Sequence, residues 1–462
     1  MYPLITHKQN FRLLSKGNGI LMAIVFALFS KDASAQTSKS DTMSMTILQA
    51  LDFAITNNTS VKNAYADLAI ANQTVKEVTA IGIPQVRGSF SFTDALAKQV
   101  FVFPLNGPGS PPTPIRVGNK YTSVASLNVN WLMLDGTYFL GLQSAKKFTD
   151  LSKKIASKTE TDVKIDVAKS YLMCIITKEN INLINNTYNT LYQTYEQVVA
   201  LNKEGFADSL EVDRLKLQLN NLSINRQKMQ DQYEILLGLL KNKIGMDQEI
   251  PLKLVDDVNT INNRLLDVDT TAKVNLTART DYQVLQQQLV LNKLNVKRYQ
   301  FGKYPNLVGA FTYQQSNFGE ESIDYSRKNW YDNYFYALQL NIPIFSGFSN
   351  NAKIQTAKIE QIKTENTIRN VENLITLEVN QNRLKYLRAL DMVNQQLENL
   401  QLATKILNIT TIKYKEGIGS NLELITANQD LKNSQTNYLN AIYDLLVAKI
   451  DYLVSIGQPI KL

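Results

Sequence analysis

The sequence predicts an α+β chain made of two structural repeats, each with a pair of β-strands and long coiled-coil helices. Three observations carry that prediction: a self-match between the two halves, period-2 segments of about ten residues, and helical stretches too long for a compact domain. The self-match is clearest where Lys203-Glu204-Gly205 and Leu210-Glu211 recur as Lys415-Glu416-Gly417 and Leu422-Glu423, an offset of 212. The same offset joins Leu219 to Leu431, Asn225 to Asn437 and Ile244-Gly245 to Ile456-Gly457 without a gap. Upstream, Leu127-Asn128-Val129-Asn130 and Gly136 correspond to Leu338-Gln339-Leu340-Asn341 and Gly347 at offset 211, and Thr56, Thr59 and Pro84 to Thr277, Thr280 and Pro305 at offset 221. The change of 10 falls between Pro84 and Asn130, so the first half carries the longer loop. Self-similarity at this scale has to be settled before any fold is assigned.

The elements follow in order. Residues 1–35 read as an export signal: a basic segment ending at Lys16, an apolar run from Ile20 to Phe29, and Ala33-Ser34-Ala35 as the cleavage site. An apolar run of about 10 residues is too short for a span that needs about 20. A first repeat is expected over 36–245, a linker over 246–275 and a second repeat over 276–462. In the first repeat a helix is expected over 46–81, strands over 85–93 and 123–132, and helices over 137–203 and 208–245 with a break at Gly205. The second is expected to run as a helix to 301, strands 306–315 and 334–343, and helices 349–415 and 420–456 with a break at Gly417.

The strands alternate. Val86, Phe90 and Phe92 share one face, while Arg87, Ser89, Ser91 and Thr93 share the other. Leu127, Val129 and Trp131 oppose Asn128 and Asn130; Leu307, Phe311 and Tyr313 oppose Thr312 and Gln314; Tyr334, Tyr336, Leu338 and Leu340 oppose Gln339 and Asn341. Such segments suit a lipid-facing, water-lined barrel, and equally an antiparallel sheet on a soluble core. Four strands cannot close a membrane barrel, whose smallest members have about eight. Strands that cross a membrane here must therefore be shared between chains, because every edge in lipid needs a partner.

A helix over 137–203 would be about 100 Å long. The helix after it carries a 4–3 seam: Leu215, Leu219, Leu222, Arg226, Met229, Tyr233, Leu236 and Leu240, ending at Ile244. Its counterpart is Ala427, Leu431, Ser434, Tyr438, Ala441, Leu445, Ala448, Tyr452 and Ile456, with small residues often matching large ones. Cys174 shares a stripe with Val167, Tyr171 and Ile181 and reads as a packed core thiol.

Composition excludes several functions. Of 462 residues, 49 are Lys or Arg and 41 Asp or Glu, and removal of the first 35 leaves 45 against 40, too even a balance for nucleic-acid binding. The only His is His7 and the only Cys is Cys174, which excludes an internal disulfide, Cys/His metal sites and His-based triads. No cofactor or metal is expected, and an enzyme is the least favoured reading.

The segment Tyr414-Lys415-Glu416-Gly417 through Ser420, Leu422-Glu423-Leu424, Ala427-Asn428-Gln429, Leu431, Tyr438, Ala441, Leu445 and Gly457 resembles the TolC-like outer-membrane efflux channels. Leu48-Gln49-Ala50-Leu51 with Ala54 and Asn57-Asn58, the Pro before each first strand, and Asn341-Ile342-Pro343-Ile344-Phe345-Ser346-Gly347 support the resemblance, which covers nearly all of the chain after the signal. It implies a homotrimer in the outer membrane of a Gram-negative bacterium, with a shared 12-stranded barrel and a periplasmic helical tunnel. It also implies a passive exit duct, served by a periplasmic adaptor and an inner-membrane transporter, in contact with outer-membrane lipid. The rival readings are an export channel for protein or polysaccharide with the same fold, and a non-channel periplasmic scaffold.

Site residues follow from the same resemblance. The tips Gly205, Phe206, Ala207 and Asp208, and Gly417, Ile418, Gly419 and Ser420, are expected to dock the adaptor. Tyr414 and Glu423, with Glu211 as the first-half equivalent, are expected to form a periplasmic gate. Thr426 and Gly419 stand where the family has a second acid and a basic latch, and Asn202 where a second Tyr would be. Ser420-x-x-Glu423 and Asp208-x-x-Glu211 also read as capping boxes. The long loop 94–120, with Pro104, Pro108, Pro111, Pro112 and Pro114, is expected outside the cell.

Overall fold

The computed structural model describes residues 42–103, 111–258, 269–322 and 329–459. The export signal, Pro104 and Pro108, and the middle of the linker fall outside these residues. Three elements precede the first long strand: β1 (Met43–Met45) and then helices α1 (Ile47–Asn57) and α2 (Thr59–Ile81). The single helix expected over 46–81 is thus two. Asn58 breaks it, with extended backbone at φ −60° and ψ 132°, and its side chain caps α2 by accepting from the Ser60 and Val61 amides.

The strands that follow are β2 (Gln85–Asp94), β3 (Gln99–Phe103), β4 (Thr113–Val117) and β5 (Tyr121–Leu134). Helices α3 (Gly136–Lys203) and α4 (Ser209–Ile244) form the first long hairpin, followed by β6 (Leu252–Leu254). The second half supplies α5 (Thr280–Phe301), β7 (Asn306–Gly319), β8 (Trp330–Asn341), α6 (Ser349–Lys415) and α7 (Asn421–Ser455). From α2 onward the order helix, strand, strand, long helix, long helix occurs twice, with β3 and β4 as an additional strand pair in the first half.

One four-stranded antiparallel sheet unites the halves in the order β2-β5-β7-β8. Its register sets Val86 against Val129, Val129 against Phe311 and Phe311 against Tyr336, so the alternating apolar sets expected on the four strands share one face. Trp131 faces Gly309, where a Cβ would lie 3.3 Å from its ring, and it also meets Tyr336 at 6.5 Å between centroids. The opposite face carries Ser89 bonded to Ser126 at 2.7 Å and Thr312 bonded to Asn128 at 2.9 Å. β8 ends at Asn341, two residues short of the expected 343, because Pro343 has no N–H to give a ladder. Within the loop 94–120, β3 and β4 pair antiparallel, and the Lys98–Glu320 ion pair at 2.6 Å links the residue before β3 to the residue after β7.

The long helices are held where hairpins and short helices meet. A large buried cluster gathers Tyr171, Cys174 and Ile175 of α3, Leu240 and Ile244 of α4, Ile375 and Tyr386 of α6, and Leu445 and Tyr452 of α7. Tyr386 stacks on Tyr452 at 6.2 Å and 12°. Burial pushes the Cys174 thiol up to about 12, so it stays protonated as a core residue. The α4 seam holds as expected, with Arg226 stacked 4.7 Å above the Tyr188 ring. The linker flank expected to lack pattern is ordered: β6 pairs in parallel with β1, Met43 against Leu252. Buried Asp256 Oδ2 there accepts from the Ile47 amide at 2.7 Å and lies 2.9 Å from the Tyr171 hydroxyl.

Candidate functional site

The free ends of the two hairpins are the site that the sequence marks, and each is built from a helix stop followed by a helix start. α3 stops when Gly205 takes φ +79°, which lets the Phe206 amide reach the Leu201 carbonyl at 2.9 Å. α6 stops in the same way at Gly417, φ +75°, with the Ile418 amide on the Lys413 carbonyl at 3.0 Å. Asp208 opens α4 by accepting from the Leu210 amide at 3.1 Å, while the Glu211 amide goes to the Asp208 carbonyl. The expected box at Asp208-x-x-Glu211 is therefore an ordinary aspartate cap. Ser420 opens α7 by accepting from the Glu423 amide at 3.2 Å.

The turns leave equivalent apolar side chains in solvent. Phe206 is 81% exposed and Ile418 78% exposed. Ala207 is half-buried, and the Asn202 amide closes the first turn by donating to its carbonyl at 2.7 Å. Gly419 cannot carry a side chain without displacement, since a Cβ there would lie 3.0 Å from the Tyr414 nitrogen and 3.1 Å from the Lys413 carbonyl carbon.

The three expected gate residues divide. Tyr414 is half-buried and packs on the small tip core of Ile184, Leu191, Val198, Leu215, Leu219 and Leu222. Burial raises its phenol, and the nearby charge of Glu211 raises it further. The fold thus sets Tyr414 of the second repeat within electrostatic reach of Glu211 of the first. Glu423 is exposed, and among the described residues no hydrogen bond or ion pair joins its side chain to either. Thr426 turns its hydroxyl onto the Leu422 carbonyl at 2.9 Å.

One participant is missed by the sequence reading. Asn421, the first residue of α7, is 3% exposed and donates its side-chain amide to the Glu211 carbonyl at 3.4 Å. It lies outside the 4–3 seam, and its first-half counterpart is the exposed Ser209, so neither spacing nor the repeat signals it. Also missed is the group at the opposite end of the hairpins. Arg279 grips Asp281 through two bonds at 2.8 and 3.1 Å, Glu378 at 2.9 Å and the Ser455 carbonyl at 3.0 Å.

Comparison with known proteins agrees with this architecture. Residues 295–457 match the outer membrane efflux protein family. CusC superposes with a TM-score of 0.72 at 16% identity, over 89% of this chain and 92% of that one. VceC from Vibrio cholerae gives 0.69 at 15%, over 89% and 96%. The Campylobacter jejuni CmeC outer membrane channel gives 0.71 at 15%, over 89% and 85%. The chain has the fold of the TolC-like outer-membrane efflux channels. No curated protein sequence matches it. The matched family and the solved neighbours are channel proteins rather than enzymes. No described helix of the chain is long and apolar enough to cross a membrane.

Proposed function

We propose that three copies of this chain form an outer-membrane channel, the passive exit duct of a tripartite efflux system. The observation that carries this reading is the open sheet. β2 and β8 are edges, and four strands of 10 to 14 residues present one continuous apolar, aromatic face. In lipid those edges need partners, and β8 of one copy against β2 of the next would close a 12-stranded barrel. The apolar face would meet lipid and the polar face the lumen. Leu210, Leu217 and Ile224, exposed on α4 at intervals of seven, supply a matching seam for a neighbouring copy along the tunnel. Native mass measurement in detergent is expected to give three chains; a folded monomer in the membrane fraction would overturn the assembly.

Residues 36–245 and 276–462 would be the two repeats of each protomer, 246–275 the connection at the equator, and 1–35 the export signal. The helices would reach about 100 Å into the periplasm, bringing the tips to a periplasmic adaptor and its inner-membrane transporter. Exposed Phe206 and Ile418 fit that docking, because isolated apolar side chains on matching tips suit a partner's groove. The contact of Tyr414 with Glu211 would hold the entrance closed at rest, and three Glu423 carboxylates near the axis would form a cation-attracting ring. Gly417→Trp is expected to abolish efflux of a toxic dye while the trimer remains in the membrane. Normal efflux with both tips altered would remove them as the docking site.

A further inference from the structure

The tip contact contains a polar side chain in an unfavourable position. Asn421 is 3% exposed, although asparagine is mostly a surface residue. Its Nδ2 reaches the Glu211 carbonyl at 3.4 Å, a long bond to an oxygen that already serves the α4 helix. Its Oδ1 is buried and, among the described residues, has no hydrogen-bond partner. A buried acceptor without a donor loses its hydration and recovers nothing.

The surroundings explain why this residue holds the contact. Gly419 lies against the backbone of Lys413 and Tyr414, where a Cβ would stand 3.0–3.1 Å from them, so a side chain at that point of the turn would have to push them aside. Tyr414 comes from α6 and Glu211 from α4, and Asn421 is the side chain on α7 that bonds across between the hairpins there. The contact is thus apolar packing plus one weak hydrogen bond, with a desolvated oxygen beside it.

We propose that Asn421 makes closure of the entrance reversible: its amide ties α7 to α4, and its buried oxygen favours the separated state in which water can reach it. The inference rests on the reading of these tips as a gate. It assigns Asn421 as a positioning residue that sets the balance between closed and open, through the register of Tyr414 and Glu211.

Two nearly isosteric variants separate this role from simple packing. Asn421→Leu removes the desolvated oxygen and keeps the volume, and it should shift the channel toward closure, lowering open probability about tenfold. Asn421→Asp removes the donor and places a carboxylate against the Glu211 carbonyl. It should open the channel, even though an acid at this position favours α7 itself. Asn421→Ala deletes the same oxygen without filling the space, and it should move in the direction of Leu by less, which provides the test if Leu impairs assembly.

The measurement is single-channel recording of the full-length protein in planar bilayers, with Glu211→Gln recorded beside it. Opposite shifts for Leu and Asp support the inference. Opening by both shows a plain tie and overturns it, as does silence from both. In the silent case, a response from Glu211→Gln leaves the gate standing without Asn421, and no response removes the gate as well.

Discussion

The equatorial and tip ends of the same helical hairpins are built differently. At the equator, two short helices, a parallel strand pair and all four long helices meet in one large core. Its polar groups are bonded across the chain: Asp256 to Ile47 and Tyr171, Arg279 to Glu378 and Ser455, Lys169 to Asp451 at 2.5 Å. At the tips the core shrinks to six buried side chains with a few half-buried neighbours, and the buried polar residue there is only partly bonded. Low contact density and exposed turns are what local opening requires. The proposed channel, which would stay assembled while its entrance opens, would need this inequality, since a uniformly packed tube would either not open or not hold.

The comparison predicts unequal responses to truncation. Tyr171→Ala at the equator should be the most damaging, lowering stability by about 3–5 kcal/mol from the cavity alone, and leaving the carboxylate of Asp256 buried beside it. Tyr171→Phe keeps the ring and should cost less, about 1–3 kcal/mol. Denaturant unfolding of the detergent-solubilised channel measures both. A Tyr171→Ala protein as stable as Leu215→Ala at the tip would remove the distinction between the two ends.

Next in size is the Arg279 group. Burial pushes Asp281 upward, but the hydrogen bonds and charge of Arg279 outweigh it and hold the carboxyl below its ordinary value. A depressed carboxyl contributes stability that is present above its unfolded value, about pH 3.9, and lost as pH falls through the folded value. Arg279→Ala should therefore lower stability at neutral pH by about 1–2 kcal/mol, the partial exposure of both carboxylates limiting the effect, and should flatten the loss seen as pH falls below about 4. An acid-unfolding profile unchanged by Arg279→Ala would show that the group is not a clamp.

What the sequence reveals follows the same division. Period-2 strands and the 4–3 seam were readable because one face of each element is apolar over its length, and the repeat located both tips. The equator is not periodic. Asp256, Arg279 and Asp281 act through partners 85 to 209 residues away or through a turn, which no local pattern records. At the tip, Tyr414 and Glu211 came from resemblance, and the charge of Glu211 reaches the Tyr414 phenol, whereas Asn421 is buried by the approach of two hairpins and carries no local signature. The split at Asn58 was hidden because an N-cap asparagine inside a helical pattern differs from an exposed helical one only in its backbone angles.

The smallest expected effect concerns Glu423, and it sharpens the comparison because it separates a helix cap from a channel role. Within one chain, Glu423 is an exposed third residue of α7 whose amide bonds Ser420. A carboxylate there gains only about 0.3–1 kcal/mol from the helix dipole. Glu423→Gln should thus leave folding and assembly nearly unchanged. It also leaves Tyr414, Glu211 and Asn421 undisturbed, since no bond joins them to its side chain among the described residues. In the proposed trimer, three-fold symmetry would change the expectation for ion flow. Three carboxylates around one narrow opening would raise the local cation concentration, and removing all three together should lower cation selectivity and weaken block by divalent cations. Reversal-potential measurements in a salt gradient read this directly, and the effect should shrink as ionic strength rises. A reversal potential identical to that of the parent channel at low salt would leave Glu423 a helix-start residue and return control of the tip to the contact between Tyr414, Glu211 and Asn421.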